Sequence, residues 1–187
     1  KDLDYKEATE IQKKAIPIAL KKRDILAAAQ SGTGKTAAFL LPILTELLAN
    51  KQVDKPILRA LILVPTRELA TQISKAVSDF SKYMEVESLA MVGGVSTKDQ
   101  EKKIAKGIDI LVATSGRLME HLKNGTVDLS SVTTVVIDEV DTMLDMGFLE
   151  DIEKILPNVG PKRQIMMFSA TMNQNVKKLA KEFLTDP

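Results

Sequence analysis

Gly32-Thr33-Gly34-Lys35-Thr36 follows a short apolar run, Ile25-Leu26-Ala27-Ala28, and opens a helix-like segment at Ala37-Ala38-Phe39-Leu40-Leu41. A strand that turns through glycines into a helix aims backbone N–H groups and the positive end of the helix dipole at one point, which suits an anion. Lys35 could reach the β- and γ-phosphates of a nucleotide, and the Thr36 hydroxyl could hold Mg²⁺. The full loop also includes Ala29, Gln30 and Ser31, with Ala29 where such loops usually have a first glycine. Taken alone, the stretch is also compatible with a glycine-rich turn that binds nothing.

A second cluster, Asp138-Glu139-Val140-Asp141, ends the apolar run Val135-Val136-Ile137. An Asp at the end of a buried strand is placed to hold Mg²⁺ beside a phosphate loop. Glu139 could then orient or deprotonate the water that attacks a γ-phosphate. Two carboxylates at a buried strand end are costly without a cation. The alternative is that Asp138 caps the following helix around 142–144.

Such groups need a scaffold. Apolar runs at 25–29, 60–64, 88–92, 110–113, 134–138 and 164–168 are unbroken, not alternating, as expected for strands covered on both faces. Helix-period segments lie between and after them. In 67–80, Leu69, Ile73, Ala76, Val77 and Phe80 share a face; in 173–183, Val176, Leu179, Ala180 and Phe183 do the same. The pattern predicts an α/β domain with a mainly parallel sheet and helices on both faces. Ligands of such sheets gather at the carboxyl ends of the strands. Pro65-Thr66-Arg67-Glu68, Thr114-Ser115-Gly116-Arg117, the acidic cluster and Ser169-Ala170-Thr171 are therefore expected on one rim with the glycine turn.

Composition bounds the partners. The 187 residues are 44% hydrophobic and 27% charged, enough for one domain spanning 1–187. With 26 Lys plus Arg against 25 Asp plus Glu, the net charge is +1, so any polyanion site must be built locally. The absence of Cys excludes disulfides and thiolate metal sites. No apolar run is long enough to span a bilayer and no leader is evident, so a cytoplasmic monomer with no membrane partner is expected. His121, the single histidine, reads as a surface residue, Met143 and Met146 as core filler, and 51–56 as a polar loop.

Ala-Gln-Ser-Gly-Thr-Gly-Lys-Thr, Pro-Thr-Arg-Glu-Leu-Ala, a Gly-Gly pair, Thr-x-Gly-Arg, Asp-Glu-x-Asp and Ser-Ala-Thr occur in one order across nearly the whole chain. That order resembles the amino-terminal RecA-like, P-loop NTPase domain of DEAD-box RNA helicases. Met143-Leu144-Asp145-Met146-Gly147-Phe148 also fits the family pattern. The resemblance implies an ATP-dependent RNA helicase with ATP and Mg²⁺ as cofactors. Lys35, Asp138 and Glu139 would be catalytic, with Thr36 and Asp138 at the metal.

The resemblance also gives Thr9-Glu10-Ile11-Gln12 the role of an adenine-reading motif. A Gln amide both donates and accepts, which suits the N6/N7 edge of adenine; without the resemblance, Gln12 would read as an exposed helix residue. Ser169 and Thr171 would hydrogen-bond to Asp141 and couple hydrolysis to strand separation, or else cap the last helix. RNA contacts would come from Pro65, Thr66, Arg67, Gly93, Gly94, Thr114, Gly116 and Arg117, gripping the sugar-phosphate backbone without reading sequence. Either arginine could instead be a structural ion-pair partner.

The chain departs from the family at several points. Val140 stands where Ala is usual, Ser115 where Pro is usual, and Asp4 and Ala8 replace Gly and Pro around a retained Tyr5. The separate aromatic residue that the family places well upstream of Gln12 has no counterpart in these residues. The family's second RecA-like domain, whose arginines complete the ATP site, lies outside the 187 residues. The isolated chain is therefore expected to bind nucleotide but not to unwind RNA. Competing readings are a DNA-dependent relative and a P-loop kinase or non-catalytic nucleotide-binding module.

Overall fold

The computed structural model describes residues 6–50 and 56–187. Asp4, Tyr5 and most of the expected 51–56 loop lie outside the described residues. In chain order the elements are α1 (Glu10–Leu20), β1 (Ile25–Ala28), α2 (Lys35–Ala49), β2 (Ala60–Val64), α3 (Arg67–Phe80) and β3 (Ser88–Met91). There follow α4 (Thr97–Lys106), β4 (Ile110–Thr114), α5 (Ser115–Lys123), β5 (Thr134–Ile137), α6 (Val140–Asp145) and α7 (Leu149–Ile155). A short 3₁₀ turn (Leu156–Asn158), β6 (Gln164–Ser169) and α8 (Gln174–Phe183) complete the order.

Among the described residues six strands form one sheet in the order β1-β6-β5-β2-β4-β3, and every pairing is parallel. Each strand expected from the sequence is present with ends within one residue. Successive residues of a strand face opposite sides of the sheet, and here both sides are dry. Ile62, Val112, Val136, Met166 and Phe168 pack with Ala15, Phe39, Ile43, Ile73 and Val77 from α1, α2 and α3. Leu61, Leu63, Leu111, Val135, Ile137 and Met167 pack with Leu118, Met143, Ile152, Val176 and Leu179 from α5 to α8. This double covering explains why the strands read as unbroken apolar runs. Val140 is fully buried in the second of these cores, where its extra methyl groups find apolar neighbours.

α2 runs through Pro42 without ending. The helix expected over 173–183 starts at Gln174, because Asn173 is its N-cap and accepts the Val176 N–H at 3.0 Å. α4 was not visible in the sequence, since Ile104 and Ala105 are its only apolar residues.

All strands being parallel, their carboxyl ends share one rim, and the sheet order divides that rim in two. β1, β6 and β5 carry the glycine loop, Ser169 and the acidic cluster. β2, β4 and β3 carry Pro65–Arg67, Thr114–Arg117 and Gly93-Gly94.

Candidate functional site

Between β1 and α2 the chain turns with Gly32 at φ +80° and Gly34 at φ +87°, a backbone region open to glycine and strained for other residues. Gly34 is the N-cap of α2, and Lys35 and Thr36 are its first residues. The Ala29 N–H donates to the Ser169 carbonyl at 2.9 Å, tying the start of the loop to β6. Thr33 Oγ1 donates to the Gln30 carbonyl at 2.7 Å.

Lys35 lies under this loop, almost wholly buried, with Nζ 2.7 Å from Asp138 Oδ1 and 3.7 Å from Glu139 Oε1. Ser31 Oγ donates to the same Glu139 oxygen at 3.3 Å. Asp138 is completely buried; its Oδ1 also accepts the Glu139 N–H at 2.9 Å, while Oδ2 has no hydrogen-bond partner among the described residues. Burial pushes the Asp138 carboxyl above its ordinary range, although Lys35 and the Glu139 N–H both pull the other way. Asp138 does not cap a helix: the N-cap of α6 is Glu139, held in the left-handed region at φ 53° and ψ 51°. A non-glycine residue there stores strain on the order of 1–3 kcal/mol.

Asp141 faces β6. Its Oδ2 accepts the Thr171 N–H at 2.9 Å and the Thr171 hydroxyl at 3.0 Å. The Asp141 N–H donates to Ser169 Oγ at 3.3 Å, and that hydroxyl donates to the Thr171 carbonyl at 2.8 Å. Burial would raise the Asp141 carboxyl, but hydrogen bonds from Thr171, Thr142 and Ser169 outweigh it and hold the group below its ordinary range. With Asn173 capping α8, Ser169 and Thr171 are not cap residues.

Gln12 is buried behind the glycine loop. Its Oε1 accepts the Thr9 N–H at 2.9 Å and its Nε2 donates to the Gly34 carbonyl at 3.0 Å. A Cβ at Gly34 would stand 2.5 Å from Gln12 Nε2 and 3.0 Å from Thr9 Oγ1. Both ends of the amide are thus engaged with protein, and the segment is locked to the loop. A cleft of about 560 Å³ beside it is lined by Thr9, Ile11, Lys14, Ala29, Gln30 and Thr33.

On the other half of the rim a cleft of about 470 Å³ is lined by Pro65, Thr66, Arg67, Gly93, Thr114, Gly116 and Arg117. Thr66 caps α3, its Oγ1 accepting the Leu69 N–H at 3.2 Å. Arg67 Nη1 donates to the Gly93 carbonyl at 3.2 Å, and a Cβ at Gly94 would meet the same nitrogen at 2.5 Å. Arg117 donates to Thr97 Oγ1 at 2.7 Å, Glu120 Oε2 at 2.9 Å and the Val95 carbonyl at 3.3 Å. Both guanidiniums therefore brace the segment after β3. Ser115 is the first residue of α5, and its buried Oγ has no hydrogen-bond partner among the described residues.

Two readings of single residues are corrected by the structure. Met146 is half exposed and lines this second cleft with Phe148, because the turn at Gly147 (φ +83°) carries the chain away from the core after α6. His121 is fully buried, not superficial, because α5 turns that face toward α4. Neither position was distinguishable by local pattern.

The sequence profile of the family described as DEAD/DEAH box helicase matches residues 9–179. The chain is 43% identical over 187 residues to the ATP-dependent RNA helicase DeaD of Escherichia coli, covering 100% of this chain and 29% of that protein. It is 46% identical over 177 residues to the DEAD-box ATP-dependent RNA helicase RhpA of Helicobacter pylori, covering 95% of this chain and 35% of that protein. The crystal structure of the yeast DEAD-box splicing factor Prp28 superimposes with a TM-score of 0.92 at 34% identity, over 100% of this chain and 45% of that one. The chain thus spans about a third or less of the curated relatives it matches.

Proposed function

Because the chain belongs to the DEAD/DEAH box helicase family, we propose that it is the ATP-binding RecA-like unit, residues 1–187, of an ATP-dependent RNA helicase. The observation that carries this reading is the buried Lys35–Asp138 pair at 2.7 Å beneath a loop whose two glycines have positive φ. Such a loop holds phosphates with its N–H groups and the α2 N-terminus, and Lys35 would leave the carboxylates to meet the β- and γ-phosphates. The partnerless buried Oδ2 of Asp138 fits a divalent cation, so Asp138 and Thr36 would hold Mg²⁺, which when bound offsets phosphate charge.

Glu139 would orient and deprotonate the attacking water. Ala29, Gln30, Ser31, Gly32, Thr33 and Gly34 would wrap the phosphates, and Thr9 and Gln12 would read the adenine edge once Gln12 exchanges a protein partner for the base. Asp141, Ser169 and Thr171 would relay the state of this half of the rim to the other. There Pro65, Thr66, Gly93, Gly94, Thr114 and Gly116 would track the RNA backbone, with Arg67 and Arg117 shaping that track as much as charging it. A second RecA-like domain would supply the remaining arginines and the other half of the RNA groove. A cytoplasmic monomer fits the same reading.

Calorimetric titration with ADP and with GDP, both with Mg²⁺, tests it. A preference for ADP that Gln12→Ala removes is the expected result. Equal affinity for both would overturn the adenine assignment, and no binding of either would overturn the nucleotide site.

A further inference from the structure

His121 is fully buried in the half of the rim that carries no nucleotide residues, and nothing in the ATP chemistry uses it. Its Nε2 lies 2.9 Å from Gln100 Oε1, and Gln100 Nε2 donates to the Val92 carbonyl at 3.0 Å. Since the Gln100 amide nitrogen is spent on Val92, its oxygen faces the ring, which assigns the imidazole proton to Nε2. On the other side of the ring Thr126 Oγ1 is 2.8 Å from Nδ1 and 3.1 Å from the His121 carbonyl. The result is a chain of hydrogen bonds, buried at His121 and Gln100, that runs from the end of β3 through α4 to α5.

Val92 immediately precedes Gly93-Gly94, and Arg117 stands one helical turn before His121 on α5. Arg117 already joins α5 to Val95 and Thr97 at the outer edge. The His121–Gln100–Val92 chain is a second, inner brace between the same two segments. Buried polar chains of this kind offer little net stability over apolar packing, but they define one geometry, because a partner left unpaired is penalised.

We infer that His121 is a positioning residue for the RNA track: through Gln100 it fixes the Gly93-Gly94 turn relative to the N-terminus of α5, setting the spacing at which successive backbone phosphates are met. This inference rests on the RNA-track reading given above.

The test compares the chain with His121→Leu, His121→Gln and His121→Asn, reading anisotropy of a short fluorescein-labelled oligouridylate, ADP affinity by calorimetry and amide hydrogen exchange at Gly93 and Gly94. Leu is expected to weaken the oligouridylate about tenfold, speed exchange at both glycines and leave ADP affinity unchanged. Gln places an amide N–H where Nε2 was and should restore RNA affinity and protection. Asn is too short to reach Gln100 and should behave like Leu, so the Gln–Asn pair decides the matter even if the Leu variant does not fold. Equal RNA affinity for Gln and Asn, or a parallel loss of ADP affinity, would overturn the positioning role. A parent chain that binds no oligouridylate would instead overturn the RNA-track reading and the proposal with it.

Discussion

Lys35 Nζ stands 2.7 Å from Asp138 Oδ1 at a place where neither group reaches bulk water, so each is the main electrostatic partner of the other. A phosphate and a divalent cation would take these two groups apart and pair each anew. The pair therefore ties the stability of the nucleotide-free chain to the residues that bind nucleotide.

Lys35→Met should abolish nucleotide binding and also cost stability, about 3 kcal/mol, because it leaves a buried carboxylate uncompensated. Burial already raises the Asp138 carboxyl, and without Lys35 it protonates still more readily. The loss should consequently shrink between neutral and mildly acidic pH. Adding Asp138→Asn should recover most of it. Urea unfolding of the two variants at both pH values checks this; equal stability of single and double variants would contradict it.

Glu139 keeps a left-handed backbone at φ 53°, a cost its side chain does not require. Glu139→Gly should therefore raise stability by about 1 kcal/mol, while Glu139→Gln leaves it nearly unchanged. Both should retain Mg-ATP binding and lose its hydrolysis. Thermal unfolding with single-turnover phosphate release separates the two effects, and a destabilised glycine variant would remove the strain argument.

The two loop glycines should respond differently to alanine. At Gly32 no atom of the described residues lies within 4 Å of the new Cβ, so the positive φ is what opposes it. At Gly34 the Cβ would meet Gln12 Nε2 at 2.5 Å as well, displacing the amide that bonds the Gly34 carbonyl. Gly34→Ala should thus weaken ADP much more than Gly32→Ala, and shift the side-chain amide NMR signal of Gln12. Equal effects would mean that the Gln12–Gly34 contact is unimportant.

What the sequence discloses here is what local order encodes. The glycine turn, Asp138 at a strand end and the doubly covered strands are consecutive patterns, and they are found where expected. Contacts between distant segments are not encoded that way. Gln12 spends its amide on Gly34, 22 positions along, and Arg67 and Arg117 turn inward to carbonyls of the segment after β3. His121 is buried with its ring against Gln100 of α4, and α4, nearly all polar, has no apolar stripe to announce it.

The isolated 187 residues should bind Mg-ATP yet turn it over slowly, with or without RNA. In the proposed whole, arginines of a second RecA-like domain stabilise the transferring phosphoryl group, a contribution on the order of 10³–10⁵ in rate. Steady-state phosphate release measures this directly. Brisk RNA-stimulated turnover by the chain alone would mean that its own rim completes the site.

Asp141 sets the sign of one limb of the stability profile. Hydrogen bonds from Thr171, Thr142 and Ser169 outweigh burial and depress its carboxyl in the folded state. The unfolded chain, with an ordinary carboxyl near 3.9, binds the proton more readily, so acid favours unfolding. The contribution is therefore fully present above the ordinary carboxyl range and is lost as pH falls through the depressed folded value. Asp138 acts in the opposite sense: raised by burial, it contributes below the ordinary value and loses that contribution as pH rises through its folded value. Asp141→Asn should flatten the acid limb of thermal stability, and Thr171→Val, which removes the hydroxyl but keeps the N–H bond, should flatten it partly. Asp138→Asn should leave that limb in place and cost stability on the neutral side, because it strands the buried Lys35 ammonium without its main partner. An acid limb unchanged in Asp141→Asn would show that the Ser169–Thr171–Asp141 cluster does not hold the carboxyl ionised, and would remove the electrostatic basis for coupling through it.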